Sequence, residues 1–263
     1  MSFQSAEHVQ TKEGRQYHIG LKKGQVAPYI LLCGDPARVE KVGRHLKKKR
    51  APIRHRDYVT VTGVYKGIPV SVMATGMGPD NTEIAVVELA QIVKEATLIR
   101  IGSCGALQKE MDVGELAIST GAVRLENTTS FFVCDGFPAI AHHEVLSALI
   151  QAAQELKHKH HVGITATAPG FYGAQARQVP GFKPRFPELM EELAKQKVMN
   201  VEMEASALFV LAGLAGFRAG AVCAIFANRH ANRFIEEKRM KEAEEHCIET
   251  GLKAIEILAS REA

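Results

Sequence analysis

Short apolar runs that stop at glycine-containing loops, and then give way to helix-period segments, recur along this 263-residue chain. Residues 28–33 make one such run, closed by Gly34-Asp35-Pro36, and residues 96–101 make another, closed by Gly102-Ser103-Cys104-Gly105-Ala106. A strand that is apolar on both faces has to be covered on both faces, and the intervening helices are the covers. The pattern predicts a helix from Pro36 with Val39, Val42 and Leu46 on one face, and strands over 58–64 and 68–74 paired about Tyr65-Lys66-Gly67. A glycine-rich loop over 75–81 follows, in which Asp80 or Asn81 caps a helix over 84–93. Further strands are expected over 116–123, 161–167 and 218–227, and helices over 141–156, 186–195, 204–215 and 236–258, the last kinked or broken near Gly251. No Gly/Ser-rich linker divides the chain, so the reading is a single α/β domain over 1–263 with strands between two helical layers.

Composition narrows the partners. Lys and Arg number 33 against 29 Asp and Glu, a formal charge of +4, and no basic stripe with interleaved aromatics appears, so a nucleic-acid partner is not expected. No 18-residue uncharged apolar stretch and no leader-like N-terminus occurs, which argues against a membrane span or secretion. The five cysteines form no CxxC pair, which fits a reducing, cytoplasmic setting better than a disulfide or zinc scaffold. His142-His143 and His158-x-His160-His161 lack the carboxylate spacing of a metal site, and Lys47-Lys48-Lys49-Arg50 reads as a solvated helix end.

Chemistry gathers where strands end. In open α/β sheets, loops at the carboxyl ends of strands face ligands, and their backbone N–H groups suit anions. Arg38 lies one helical turn past the first loop, Arg56 follows His55, and Arg100 interrupts the apolar run Thr97-Leu98-Ile99-Arg100-Ile101. A guanidinium among Leu and Ile needs a partner, either a bound anion or a core carboxylate, and both remain open for Arg100. Neither GxGxxG nor GxxxxGK[ST] is present, so dinucleotide and P-loop sites lack their signatures. In Phe171-Tyr172-Gly173-Ala174-Gln175-Ala176-Arg177 an amide and a guanidinium stand two residues apart, able to grip a planar polar ring; Glu202-Met203-Glu204 sets two carboxylates around a methionine, able to hold vicinal hydroxyls. A base reader beside a sugar reader suggests a nucleoside site.

These segments occur together in one order: Gly34-Asp35-Pro36-Ala37-Arg38, His55-Arg56, Arg100-Ile101-Gly102-Ser103, the loop over 171–177, Val201-Glu202-Met203-Glu204 and Asn228-Arg229. Over about residues 17–258 the chain resembles the nucleoside phosphorylase-I family, and within it the uridine phosphorylase branch. The resemblance implies a three-layer αβα sandwich with a central mixed, partly barrel-like sheet, and a pentosyltransferase that splits uridine reversibly into uracil and α-D-ribose 1-phosphate. It places phosphate against Gly34, Arg38, Arg100, Ser103 and a cross-subunit Arg56; ribose against Met203, Glu204, Glu202 and a partner's His18; and uracil against Phe171, Gln175 and Arg177, with Arg229 orienting that loop or stabilising charge on the base.

No organic cofactor is implied; phosphate is the co-substrate, and a monovalent cation such as potassium near Asp57 stays open. The implied assembly is a homo-oligomer sharing residues between subunits, a hexamer built from dimers. Purine relatives carry an aspartate where this chain has Asn228. Departures from the uridine branch are Gly173-Ala174 before Gln175, Ser103-Cys104 for two threonines, and the Met77-Gly78-Pro79-Asp80-Asn81 loop. Cys104 has no evident base beside it and is read as a packed thiol. A purine or broad-specificity phosphorylase, a hydrolytic nucleosidase and a noncatalytic nucleoside binder remain the competing readings.

Overall fold

The computed structural model describes residues 5–262; residues 1–4, part of the polar N-terminus read above, lie outside the described residues. In chain order the elements are β1 (Tyr29–Cys33), α1 (Pro36–His45), β2 (Ile53–His55), β3 (Tyr58–Tyr65), β4 (Ile68–Ala74), α2 (Pro79–Ala90) and β5 (Thr97–Ala106). Then come β6 (Leu116–Arg124), β7 (Ala139–Ile140), α3 (His143–Glu155), β8 (His160–Thr167), α4 (Leu189–Lys195) and β9 (Asn200–Glu202). The chain closes with α5 (Ala205–Leu214), β10 (Arg218–Asn228), β11 (Arg233–Phe234) and α6 (Glu237–Glu262).

All strands belong to one mixed sheet, and part of it closes on itself. β10 pairs with β5 in parallel and with β6 antiparallel; β6 pairs with β8, β8 with β9, and β9 with β5, completing the ring. From β5 the sheet also runs outward through β1, β4, β3 and β2. One edge of β5 is therefore shared: β1 pairs with Thr97 to Arg100, and β9 with Gly105 and Ala106. Residues 101–104 lie in the fork between those two neighbours.

The two helical layers follow from strands buried on both faces. Tyr29, Leu31 and Cys33 of β1 pack with residues of α1, α3 and α6, while Ile30 and Leu32 pack with residues of α2 and α5. Alternation along one continuously apolar strand thus feeds two cores, as a sheet covered on both sides requires.

Three local expectations are corrected. The small residues at 102–106 are not a loop but the second half of β5, held in register by Cys223, Ala224, Ile225, Ala227 and Asn228 of β10. Their smallness seats arginines: a Cβ on Gly102 would stand 2.7 Å from Arg100 Cζ, and one on Gly105 would stand 3.3 Å from Arg229 Cγ. Helix α2 begins at Pro79, ahead of the expected 84, and is capped by Gly78 at φ 102° rather than by Asp80 or Asn81. Proline's fixed φ and missing N–H suit that first helical position.

Helix α6 runs as one continuous helix through Gly251 and is not broken there. That glycine is a contact point: a Cβ there would lie 2.7 Å from Ile101 Cγ2 and 3.2 Å from Leu31 Cδ2, so its absence lets the helix sit down on β5 and β1. Gly251→Val is expected to lower stability by about 1–3 kcal/mol through overpacking, read as a lower urea midpoint with an unchanged m-value.

Candidate active site

A cavity of about 750 Å³ opens at the fork in β5. Three sets of side chains meet in it. Gly34, Arg38, Arg100 and Ser103 line one wall; Glu202, Met203 and Glu204 line a second; Phe171, Gln175 and Arg177 line a third, and Asp57 stands at the Gly76-Met77 loop.

The first wall is made by β1, α1 and β5. Asp35 caps α1 by accepting from Ala37 N at 2.8 Å, which turns the chain sharply after Gly34 and aims Arg38 inward. Arg38 is buried; its Nε donates to Glu244 Oε1 at 2.7 Å and its Nη1 to the Ile101 carbonyl at 3.0 Å, while Lys41 also pairs with Glu244. Arg100 donates through Nε to Glu202 Oε2 at 2.8 Å and through Nη2 to Glu204 Oε2 at 2.6 Å. The two readings left open for Arg100 therefore coincide: it makes a buried ion pair and also lines the cavity. Burial opposes its charge, but Glu204 and Glu202 outweigh that and hold its pKa above the ordinary arginine value.

The carboxylates differ in what they have left to offer. Glu202 Oε1 accepts from Thr167 Oγ1 at 2.6 Å and from Ala205 N, and its Oε2 accepts from Arg100, Glu204 N and Ala205 N. It is thus spent on holding Arg100 and the start of α5. Glu204 accepts from Arg100 and from Gly78 N at 2.7 Å; burial and the neighbouring Glu202 push its pKa up, against the pull of Arg100.

The third wall is a single loop after β8. Gly173–Gln175 form one tight turn, Ala176 takes the left-handed φ of 51°, and Gln175 is buried. Arg177 lies 3.9 Å over the Phe171 ring and donates from Nε to the Phe171 carbonyl at 3.0 Å, so cation and ring hold each other in place. Arg229 does not line the cavity; it packs behind Gly105, and its Nη1 is buried without a hydrogen-bond partner. Burial lowers the pKa of both arginines, and the charge of Arg229 lowers that of Arg177 further, as two neighbouring cations would.

His18 and Arg56 also stay out of this chain's own cavity and share a separate surface, where Arg56 stacks on Tyr17 at 4.5 Å and His18 meets Glu88. Met77, Phe226 and Phe234 line the cavity without having been singled out. Phe226 read as core in a late strand, and Phe234 sits in a two-residue strand too short to show periodicity. Cys104 faces the cavity, but burial, then the adjacent Cys223, raise its pKa well above the usual thiol value, which suits packing rather than attack. His161 is bonded to Glu115 at 2.6 Å and His158 stacks on His246; among the described residues no three His, Cys, Asp or Glu side chains gather as a metal site.

The sequence profile of the Phosphorylase superfamily matches residues 28–260. This chain belongs to that superfamily. Among its members, the uridine phosphorylase of Thermococcus kodakarensis is 46% identical over 261 residues, covering 98% of this chain and 91% of the relative. That of Escherichia coli is 37% identical over 243 residues, covering 90% and 96%. The crystal structure of Trypanosoma brucei nucleoside phosphorylase, which shows uridine phosphorylase activity, superposes with a TM-score of 0.86 at 26% identity, covering 93% of this chain and 98% of that one. The phosphorylase superfamily fold is thus present over nearly the whole chain, with the mixed, closing sheet at its centre.

Within this phosphorylase scaffold Glu202 is the most heavily bonded group of the site. Glu202→Gln would set an amide donor against Arg100 or a backbone N–H and leave the guanidinium short of one counter-charge. A loss of about 3–5 kcal/mol is expected, measured by denaturant unfolding of the purified variant beside the parent.

Proposed function

We propose that the protein is a uridine phosphorylase, converting uridine and phosphate reversibly to uracil and α-D-ribose 1-phosphate. The observation that carries this is the meeting of three chemistries in one cavity: the anion side with Arg38, Arg100 and Ser103, the diol side with Met203 and Glu204, and the amide-reading side with Gln175 and Arg177. Uridine phosphorylases of Thermococcus kodakarensis and Escherichia coli are similar to this chain over nearly their full length, which supports the reading.

A phosphate oxygen attacks C1' as the C1'–N1 bond breaks, inverting the configuration there. Positive charge develops on the sugar while the electron pair leaves with the base, spreading onto the uracil carbonyl oxygens. Gln175 offers an acceptor for N3–H and donors for a carbonyl. Arg177, and Arg229 with its Nη1 unpaired behind it, supply the positive field where base charge grows. Preorganised dipoles and positioning do the work, and no covalent enzyme intermediate is needed.

Pyrimidine preference has local support. Asn228 donates to the Gln108 carbonyl at 3.2 Å and the Met111 carbonyl at 2.6 Å, and accepts from Ala231 N at 2.7 Å. It is a loop staple rather than an acid for a purine N7. Charge counting supports sharing between subunits: within one chain Arg38, Lys41 and Arg100 are matched by Glu244, Glu202 and Glu204. A bound phosphate calls for another cation, which Arg56 of a neighbouring copy supplies, as His18 does for the ribose 5'-hydroxyl. The assembly proposed is a hexamer built from three dimers. Phosphate is the co-substrate of this reading and no organic cofactor is called for; Asp57 lines the cavity wall, and its carboxylate is the group beside which a monovalent cation such as potassium would bind. No helix among the described residues is long and apolar enough to cross a membrane, and all five cysteines are free thiols, which fits a reducing cytoplasm.

The deciding assay is a panel of uridine, deoxyuridine, thymidine, cytidine and inosine, each with and without phosphate. Phosphate-dependent release of uracil and ribose 1-phosphate is expected; turnover of inosine but not uridine would replace the assignment with a purine phosphorylase, and release of ribose without phosphate would make it a nucleosidase. Arg177→Ala should lower kcat/KM for uridine about 30-fold, the loss of a buried charge-assisted bond of about 2 kcal/mol, with the KM for phosphate much less affected. Co-expressing Arg56→Ala with Arg177→Ala chains should return part of the activity that each variant lacks alone, since mixed oligomers contain one intact site; no recovery would argue against an arginine lent across subunits.

A further inference from the structure

Glu88 stands near the end of α2, where the helix dipole disfavours an anion, and its carboxylate nevertheless turns inward with 12% side-chain exposure. What it grips is one short segment. Oε1 and Oε2 both accept from His18 N at 3.0 Å, Oε2 accepts from Ile19 N at 2.8 Å, and Oε1 meets His18 Nδ1 at 2.7 Å. A carboxylate of this kind only accepts, so the hydrogen between them belongs to Nδ1, and Nε2 is turned away from Glu88. The imidazole keeps 36% exposure.

The backbone that carries His18 is fixed from other sides as well. Ile19 and Leu21 are buried in the core, Gly20 takes φ +66° where a Cβ would strike His55 Cβ at 2.6 Å, and His55 Nδ1 meets the His18 carbonyl at 2.9 Å. Tyr17 packs edge-on to the His18 ring at 4.7 Å and carries Arg56 on its other contact. With the main chain so held, the remaining freedom of His18 is its ring orientation, and the contact that sets it is the one to Glu88. Backbone capping alone would not need the Nδ1 contact.

We propose that Glu88 is a positioning residue for His18, orienting the imidazole so that Nε2 is presented outward to the ribose 5'-hydroxyl of a nucleoside bound in a neighbouring subunit. This rests on the function proposed above and on His18 as the 5'-hydroxyl reader. Carboxylates that orient a functional histidine through its other nitrogen are a general device for fixing tautomer and direction together.

The test compares uridine with 5'-deoxyuridine, which lacks the hydroxyl in question, on the full-length assembled enzyme carrying Glu88→Ala, Glu88→Gln, His18→Ala or His18→Ala with Glu88→Ala. His18→Ala and Glu88→Ala are each expected to lower the ratio of kcat/KM for uridine to that for 5'-deoxyuridine by about tenfold, the worth of one hydrogen bond, and the double variant should show the same ratio as His18→Ala alone. Should Glu88→Ala fail to assemble, Glu88→Gln, which keeps the volume but gives up an acceptor and the charge, carries the same comparison. An unchanged ratio in the Glu88 variants beside a lowered ratio in His18→Ala overturns the role of Glu88 and leaves that of His18 standing. An unchanged ratio in His18→Ala removes His18 from the 5'-hydroxyl, and the inference goes with it.

Discussion

Arg100 is a full charge buried in the middle of a parallel strand, and the organisation around the cavity answers to it. Its guanidinium is divided between Glu202 and Glu204, which sit two residues apart on either side of Met203. Breaking such a pair leaves an uncompensated charge in a dry interior, at a cost of about 3–5 kcal/mol. The short strand β9 has to end where it does to bring both carboxylates to bear, α5 has to start beside Glu202 to give it N–H donors, and Gly102 has to lack a side chain for the guanidinium to fit. Stability and ligand chemistry are therefore carried by the same atoms.

The fork in β5 explains why the cavity lies there and not elsewhere along the sheet. A strand that shares one edge between β1 and β9 leaves a few residues facing neither, and those residues include Ser103 and Cys104. In an open sheet ligands gather where neighbouring connections diverge; a partly closed ring beside an open extension produces the same divergence by a different route. Loops from β1, β4 and β8 converge on this point, which is how segments far apart in the chain become three walls of one cavity.

Much of this was legible from residue patterns. Strands β1, β3, β4, β6, β8 and β10 announce themselves as apolar or β-branched runs, and α1 carries its proline and apolar stripe at readable spacing. The motif residues Gly34, Arg38, Arg100, Ser103, Gln175, Arg177, Met203 and Glu204 do line one cavity. What escaped reading has physical causes. Glycines in 102–105 looked like a turn because clearance for an arginine and freedom of φ demand the same residue. Gly251 looked like a helix breaker because the contact that keeps it is made to strands about 150 and 220 residues earlier in sequence, an order of separation at which local patterns are silent. Elements of two or three residues, β7, β9 and β11, are defined by partners and not by their own composition. Glu88 had no signature at all, since a helix-surface glutamate is ordinary until the chain from 17 to 21 is laid across it.

Ring closure also has a consequence for biosynthesis. The strand that shuts the ring, β10, is made well after β5, and until it arrives β5 has one long edge without a partner. Contacts so distant in sequence are slow to form because loop entropy is lost before they are made. A nascent chain stopped short of residue 218 would expose an apolar strand edge, the kind of surface on which unfinished chains associate wrongly. The architecture therefore leaves its central strand open to wrong partners until residues 218–228 are in place.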